Sequence, residues 1–117
     1  MTIGTIKEIL EAEVVCGEES LDNEVFSACG SDMMSDVLAY VKNQAVLLTG
    51  LVNSQVVRTA EMMDMVCIVF VRSKAPTMEM ITLAKEHGMV LMKSRKRMYE
   101  ACGKLYAAGL GAKGVAI

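Results

Sequence analysis

Residues 45–60 have the sequence AVLLTGLVNSQVVRTA. The apolar run at 45–49 predicts a buried strand, and Gly50 follows it in a polar turn. Asn53 and Ser54 are residue types that begin helices, so a helix is expected to follow the turn. In an open α/β sheet, ligands bind outside the carboxyl ends of the strands, where such helices start. The segment therefore predicts an α/β fold and a place for a ligand within it.

The same alternation of strand and helix patterns runs through most of the chain. Apolar residues at helical spacing follow Thr2 or Thr5 and predict a first helix that one of these residues caps. Ser31 or Asp32 is expected to cap a second helix in the same way. The predicted strands are residues 13–16, 25–29, 45–49, 66–71 and 89–92, and the later helices end near 43, 63, 87 and 110. Regular alternation implies right-handed crossovers, whereas the first two strands are joined by too short a loop for one. We therefore expect a mixed, largely parallel sheet of about five strands flanked by helices.

The composition predicts a single domain with an aliphatic, methionine-rich core. Of the 117 residues, 53% are hydrophobic, 4% are aromatic and eleven are Met. Methionine fills irregular cores but also forms adaptable contact surfaces, and both interpretations stay open. A small domain this apolar is expected to form a homodimer. The glycine-rich tail from about residue 109 is expected to be flexible.

Charge and cysteine patterns exclude several classes of partner. The net charge is −2 with the signs interspersed, and the basic run at 93–97 is short, so we expect no nucleic-acid binding. No apolar run approaches the ~20 residues of a membrane span. The four cysteines form no CxxC pair and His87 is the only histidine, so no metal or cofactor is predicted. Without a secretory signal, reduced thiols and a cytoplasmic location are expected.

The residues after the strand at 45–49 are the first candidates for ligand binding. Gly50 would let a ligand approach the backbone beside Thr49, and Asn53 would begin a helix whose free N–H groups face an anion. Arg58, one turn further on, could add a positive charge. The alternative is an ordinary glycine turn with a capping Asn and a solvated Arg. No phosphate-loop lysine follows Gly50, which argues against a Walker-type nucleotide hydrolase.

Two further groups of polar residues follow predicted strands. Arg72 and Lys74 would lie at the same sheet edge and form a cationic rim, which Arg95 could join, although an ordinary charged loop is the alternative. Asp32 and Asp36, four residues apart, could bind a divalent cation or act as acid and base. Their alternative role is to cap a helix and complement its dipole. Nothing matches a nucleophile elbow, a dinucleotide fingerprint or a Cys–His pair, so no catalytic residue is predicted.

Five segments give the chain a resemblance to the DRTGG domain family: ACGSDMMSDVL at 28–38, LLTGL at 47–51, QVVRTAEM at 55–62, IVFVR at 68–72 and YEACGKLY at 99–106. The resemblance covers nearly the whole chain and predicts a stand-alone copy of that domain. The contiguous string Asp-Arg-Thr-Gly-Gly is absent, so the named motif assigns no individual residue. The resemblance implies a fold similar to the N-terminal domains of HPr kinase/phosphorylase and of a cell-wall ligase of the Mur type.

The resemblance also implies a role in regulation rather than in catalysis, because the family occurs as a regulatory module beside CBS domains in inorganic pyrophosphatases. The first hypothesis is a homodimeric sensing domain that binds a nucleotide or another anionic, phosphorylated metabolite. The second is an interaction module that docks a partner enzyme without a small ligand. A remote third is an enzyme of unknown class that uses Asp32, Asp36 and the turn from Thr49 to Arg58.

Overall fold

The structure is a computed structural model that describes residues 1–39 and 44–111. Within these residues the chain forms five helices and five strands, with a short 3₁₀ turn over Glu18–Ser20. The helices are α1 (Ile3–Leu10), α2 (Met34–Leu38), α3 (Ser54–Met62), α4 (Met78–Glu86) and α5 (Met98–Ala107). The strands are β1 (Glu13–Cys16), β2 (Ser27–Gly30), β3 (Ala45–Thr49), β4 (Met65–Phe70) and β5 (Val90–Lys93).

The strands form one sheet in the order β1-β5-β4-β3-β2. Strands β2 to β5 are parallel neighbours, and β1 pairs antiparallel with β5, with Val14 opposite Met92. The mixed, largely parallel sheet flanked by helices is therefore confirmed. Every side chain of β3 is buried, as the apolar run at 45–49 predicts for a strand with both faces covered.

The helices cover the two faces of the sheet unequally. From β2 to β5 each strand is added on the same side of the previous one, so right-handed crossovers place α2, α3 and α4 on one face. Leu47 and Phe70 point into the core on that side. Val46 and Leu48 point to the opposite core, which α1 and α5 cover. The result is a three-layer α/β/α arrangement, with the three crossover helices on one face and α1 and α5 on the other.

Two predicted boundaries move because distant parts of the chain compete for the backbone. The strand predicted at 25–29 begins at Ser27, because the N–H of Val25 donates to the Met1 carbonyl and that of Phe26 to the Gln44 carbonyl. The second helix begins at Met34 rather than directly after Ser31 or Asp32, so the predicted capping role of these two residues is wrong. Its predicted end near residue 43 lies outside the described residues, as does the tail beyond residue 111.

None of the helices in the described parts of the chain has the length and apolar character that crossing a bilayer requires.

We expect Leu48→Ala to lower the free energy of unfolding by about 3 kcal/mol, because Leu48 is fully buried between the sheet and α5 and its loss leaves a cavity. Urea denaturation followed by circular dichroism measures the change. Met78→Ala is the matched control, since Met78 is 75% exposed and should change stability by about 0.5 kcal/mol or less. Equal losses in the two variants would contradict this description of the core.

Candidate functional site

The carboxyl ends of the four parallel strands lie along one edge of the sheet. We call this the carboxyl edge and define it as the loops at residues 31–33, 50–53, 71–77 and 94–97. The loops predicted to bind a ligand all lie at this edge, because neighbouring parallel strands end on the same side of the sheet.

The Asp32 carboxylate holds the loops after three of the strands together. Its Oδ1 accepts hydrogen bonds from the Gly50 N–H at 2.6 Å and from the Thr49 hydroxyl at 3.1 Å. The Thr49 hydroxyl in turn accepts from the Leu51 N–H. The other oxygen, Oδ2, lies 3.5 Å from Nη2 of Arg72. Asp32 therefore fixes the turn after β3 and pairs with Arg72 in the loop after β4.

Arg72 lies directly over the Gly50 backbone. A Cβ atom on Gly50 would collide with the Arg72 guanidinium, so the close approach that glycine permits is used by this side chain. Arg72 and Ser73 both have left-handed backbone conformations, with φ of 59° and 60°. Their N–H groups donate to the carbonyls of Lys96 and Ser94, each at 2.9 Å. These two bonds hold the loop after β4 in the conformation that directs the guanidinium across β3.

The two aspartates that the sequence places four residues apart have separate surroundings. Asp32 precedes α2 and bonds to the turn after β3, whereas Asp36 lies in the first turn of α2. The Asp36 carboxylate is exposed and makes no hydrogen bond or ion pair with any described residue. A carboxylate at the start of a helix is favourable to the helix dipole, so the interpretation of Asp36 as a helix-start residue fits the structure.

Asn53 and Arg58 lie apart from the contacts around Asp32. Asn53 occupies the N-cap position of α3, but its exposed side chain makes no capping hydrogen bond. The Ser54 hydroxyl donates to the Glu79 carboxylate, which brings a negative charge to the first turn of α3. Arg58 is exposed in the second turn of α3 and, among described residues, makes no contact that joins it to Arg72.

A crevice opens between the ends of β4 and β5. The helix after β4 covers one face of the sheet and the helix after β5 covers the other, so the loops that lead to these two helices diverge at this point. Such a change of direction is where ligands bind in open α/β sheets. A cavity of about 320 Å³ lies there. Its lining residues are Glu11, Glu13, Ser73, Lys93, Ser94 and Arg95.

Sequence reasoning missed the two glutamates of this crevice. They reach it because β1 runs antiparallel to β5, so its amino end lies beside the carboxyl end of β5, with Glu13 opposite Lys93. The loop between the first two strands is too short for a parallel crossover. It was the signal that β1 could run antiparallel in the sheet and bring the two glutamates to this edge. Ser94 is buried, and its hydroxyl donates to the Leu10 carbonyl at 2.8 Å, which fixes the floor of the crevice.

The carboxyl edge carries more cations than its acids neutralise. Three lysine and arginine side chains are paired: Lys96 with Glu11 and Glu100, Lys93 with Glu13, and Arg72 with Asp32. Lys74, Arg95 and Arg97 are exposed and form no ion pair within the described parts of the chain. The six cations of the edge and the four carboxylates that pair with them leave an excess of two positive charges, and of the three cations without an ion pair only Arg95 lines the crevice.

The cysteines and the histidine lie in surroundings that activate none of the thiols. Burial raises the pKa of all four thiols, and most strongly that of the fully buried Cys67, so none is an activated thiolate. His87 is an exposed residue at the C-cap of α4. Among residues 1–39 and 44–111, no three His, Cys, Asp or Glu side chains converge as a metal site would require.

Residues 5–108 match the DRTGG domain. The chain belongs to the DRTGG domain family. The matched residues include all five strands and nearly all of the five described helices, so the predicted resemblance is confirmed over the whole sheet. A search of curated proteins finds no match to this sequence.

A solved structure shares the fold. It is the crystal structure of the CBS and DRTGG domains of the regulatory region of Clostridium perfringens pyrophosphatase, complexed with the activator diadenosine tetraphosphate. The match has a TM-score of 0.72 at 16% sequence identity and covers 89% of the present chain. The chain spans 45% of that regulatory chain. This DRTGG domain is thus structurally similar to part of a regulatory region that binds a nucleotide activator.

We expect Gly50→Ala to displace the Arg72 guanidinium and weaken its pairing with Asp32. The cost in unfolding free energy should be only about 1 kcal/mol, because both partners of the ion pair are half-exposed and the guanidinium can move into solvent. In an Arg72→Ala background the same change should cost less, since the obstacle is gone. Urea denaturation of the four proteins in this double-mutant cycle measures the coupling. Strict additivity would show that Arg72 does not occupy the space over Gly50.

Proposed function

We propose that this DRTGG domain is a non-catalytic regulatory module that binds a nucleotide or another anionic metabolite at its carboxyl edge. The observation that carries the proposal is the presence of three exposed cations without an ion pair among the described residues, Lys74, Arg95 and Arg97, on the loops after β4 and β5, with Arg95 in the lining of the crevice. A phosphate chain that extends from the crevice along the edge toward β3 would meet these charges and then the Arg72 guanidinium over Gly50. Phosphate groups suit arginine because its fork of donors matches two of their oxygens.

Arg72 gives this proposal a means of sensing. Its ion pair with Asp32 is exposed to solvent on both sides, and pairs of this kind contribute only about 0–1 kcal/mol. A ligand phosphate would therefore compete well for the guanidinium. When Arg72 turns to the ligand, Asp32 loses one of its partners, and the loop between β2 and α2 is released from the loop after β4. Occupancy of the edge would in this way alter the conformation of a neighbouring loop.

The turn after β3 forms the second wall of the proposed site. Thr49 and Gly50 lie beneath the guanidinium, so a ligand that displaces Arg72 gains access to this turn. Asn53, whose side chain has no capping bond, can turn toward a ligand at the start of α3. Arg58 stays the outermost candidate. Glu79 beside Ser54 opposes a phosphate directly over the α3 terminus and favours the crevice side of the edge.

The comparisons support a regulatory role of this class. The pyrophosphatase region that shares the fold is regulatory, and its activator is a dinucleotide with four phosphates, which is a strongly anionic ligand. No catalytic family matches, and the thiols of the present chain are unactivated. These facts favour a binding domain over an enzyme built on Asp32 and Asp36.

We expect one or more phosphorylated compounds to raise the melting temperature of the domain in a panel of AMP, ATP, diadenosine tetraphosphate and inorganic pyrophosphate. A ligand that binds only the folded state, at a hundred times its Kd, stabilises that state by ~2.7 kcal/mol. Differential scanning fluorimetry at low ionic strength measures the shift. Adenosine, which lacks phosphate, is the control and should have no effect. A flat panel across all four compounds would contradict the proposal.

Variants then locate the bound compound. Lys74→Ala and Arg95→Ala should each reduce its affinity at least tenfold if they contact phosphate, since one charged hydrogen bond contributes about 1.5–3 kcal/mol. Arg58→Ala, at the outermost candidate, should reduce the affinity less. Lys85→Ala removes an exposed charge in the last turn of α4, away from the carboxyl edge, and is the control that should leave the affinity unchanged. Isothermal titration calorimetry measures the four constants. A loss with Arg58→Ala alone would move the site to the start of α3.

A second candidate function is a module that docks a partner enzyme without a small ligand. The observation that favours it is the exposure of three methionines, Met33, Met62 and Met78, at 60%, 52% and 75%. Exposed methionines are typical of adaptable contact surfaces. Homodimerisation belongs to both candidate functions, and we propose it for this domain as well.

A further inference from the structure

Helix α5 has an unpartnered outer face. It buries Ala101 and Leu105 against the sheet, while Tyr99 and Tyr106 on its other side are 92% and 67% exposed. Gly103 lies between the two tyrosines, four residues after the first and three before the second. These spacings place all three residues on one face of a helix. Large aromatic side chains this exposed are typical of surfaces that become buried in an interface.

The fold of the single chain does not require a glycine at position 103. A Cβ atom there would meet nothing within 4 Å, and its φ is not in the left-handed region. Glycine in the middle of a helix costs about 1 kcal/mol relative to alanine. A glycine at the centre of an exposed aromatic face instead permits the close approach of another backbone.

We propose that α5 packs antiparallel against α5 of a second copy of this chain, with the two helices crossing at Gly103. Tyr99 and Tyr106 of each copy then cover the helix of the other on either side of the crossing. This inference gives the surface for the homodimer of the proposed function. The inference rests only on the homodimer of the proposed function and does not depend on whether the carboxyl edge binds a ligand.

Charge decides between the two possible directions of the second helix. Glu100 and Lys104 lie on the same side of the outer face of α5. A two-fold axis perpendicular to the helices brings Glu100 of each copy to Lys104 of the other. A parallel two-fold arrangement would instead place this charged side of each helix against the Tyr99 and Tyr106 side of the other, so that neither charge would gain a partner. In the described residues Lys104 has no ion pair, and Glu100 has only Lys96 at 3.8 Å, so both are available to a second copy.

The first test is the mass in solution of three proteins, measured by light scattering after size-exclusion chromatography. The wild type should have twice the mass of one chain. Gly103→Arg should be a monomer, because the two introduced charges would face each other at the crossing. Met78→Arg, with the same change of charge at an exposed position on the opposite side of the sheet, should remain a dimer. A monomeric wild type or a dimeric Gly103→Arg variant would overturn the inference.

A charge exchange tests the direction of packing and does not depend on the folding of the Gly103 variant. Glu100→Lys should raise the dimer dissociation constant about tenfold, because like charges then meet across the interface. Adding Lys104→Glu restores opposite charges and should bring the constant back to within about threefold of the wild type. Sedimentation equilibrium measures the constants. A double variant as weak as the single one would rule out antiparallel packing at α5.

The nucleotide panel on the monomeric variant separates this inference from the ligand proposal. A shift in melting temperature retained by Gly103→Arg supports two independent properties. A dimeric wild type whose melting temperature no compound shifts would support the interface and contradict the ligand proposal. A monomeric wild type whose melting temperature shifts would contradict the interface and support the ligand proposal.

Discussion

The carboxyl edge depends on a single carboxylate. Asp32 follows β2, accepts hydrogen bonds from the turn after β3 and pairs with the arginine after β4, so it joins three loops that are far apart in sequence. The part-buried hydrogen bond from the Gly50 amide to this charged oxygen is stronger than a bond between neutral groups. Without this acceptor the amide and the Thr49 hydroxyl would lose their partner. The positions of Thr49 and Gly50 thus depend on one oxygen atom of Asp32, whose other oxygen pairs with Arg72.

The fold could be predicted from the sequence because its signals are local. The apolar runs give β3 and β4 within one residue at each end, and Thr2, one of the two residues predicted to begin the first helix, is its N-cap. The prediction was wrong where distant residues compete for the backbone. The segment before β2 pairs with Met1 and Gln44, and Asp32 bonds to the turn after β3 instead of capping α2. Neither partner can be inferred from the residues that surround the segment.

The candidate site was predictable only in part, for a related reason. The loops after β3 and β4 follow from the rule for parallel sheets, and the structure brings Thr49, Gly50 and Arg72 together there. That Arg72 covers Gly50 depends on its left-handed backbone, which no residue-type preference indicates for arginine. The position of the crevice depends on which face each helix covers. That property belongs to the order of the strands and becomes clear only when the sheet is assembled.

The two hydrogen bonds between the loops after β4 and β5 have a consequence for how the domain transmits change. They run from the amides of Arg72 and Ser73 to the carbonyls of Lys96 and Ser94, and Arg97 and α5 follow directly. A displacement of the Arg72 backbone would therefore be passed to the start of α5 through peptide groups. Since every residue except proline carries those groups, side chains along both loops can diverge between relatives while this mechanical connection persists. In the proposed regulatory module, the side chains that select a ligand and the backbone hydrogen bonds that connect the site to α5 are therefore free to evolve separately.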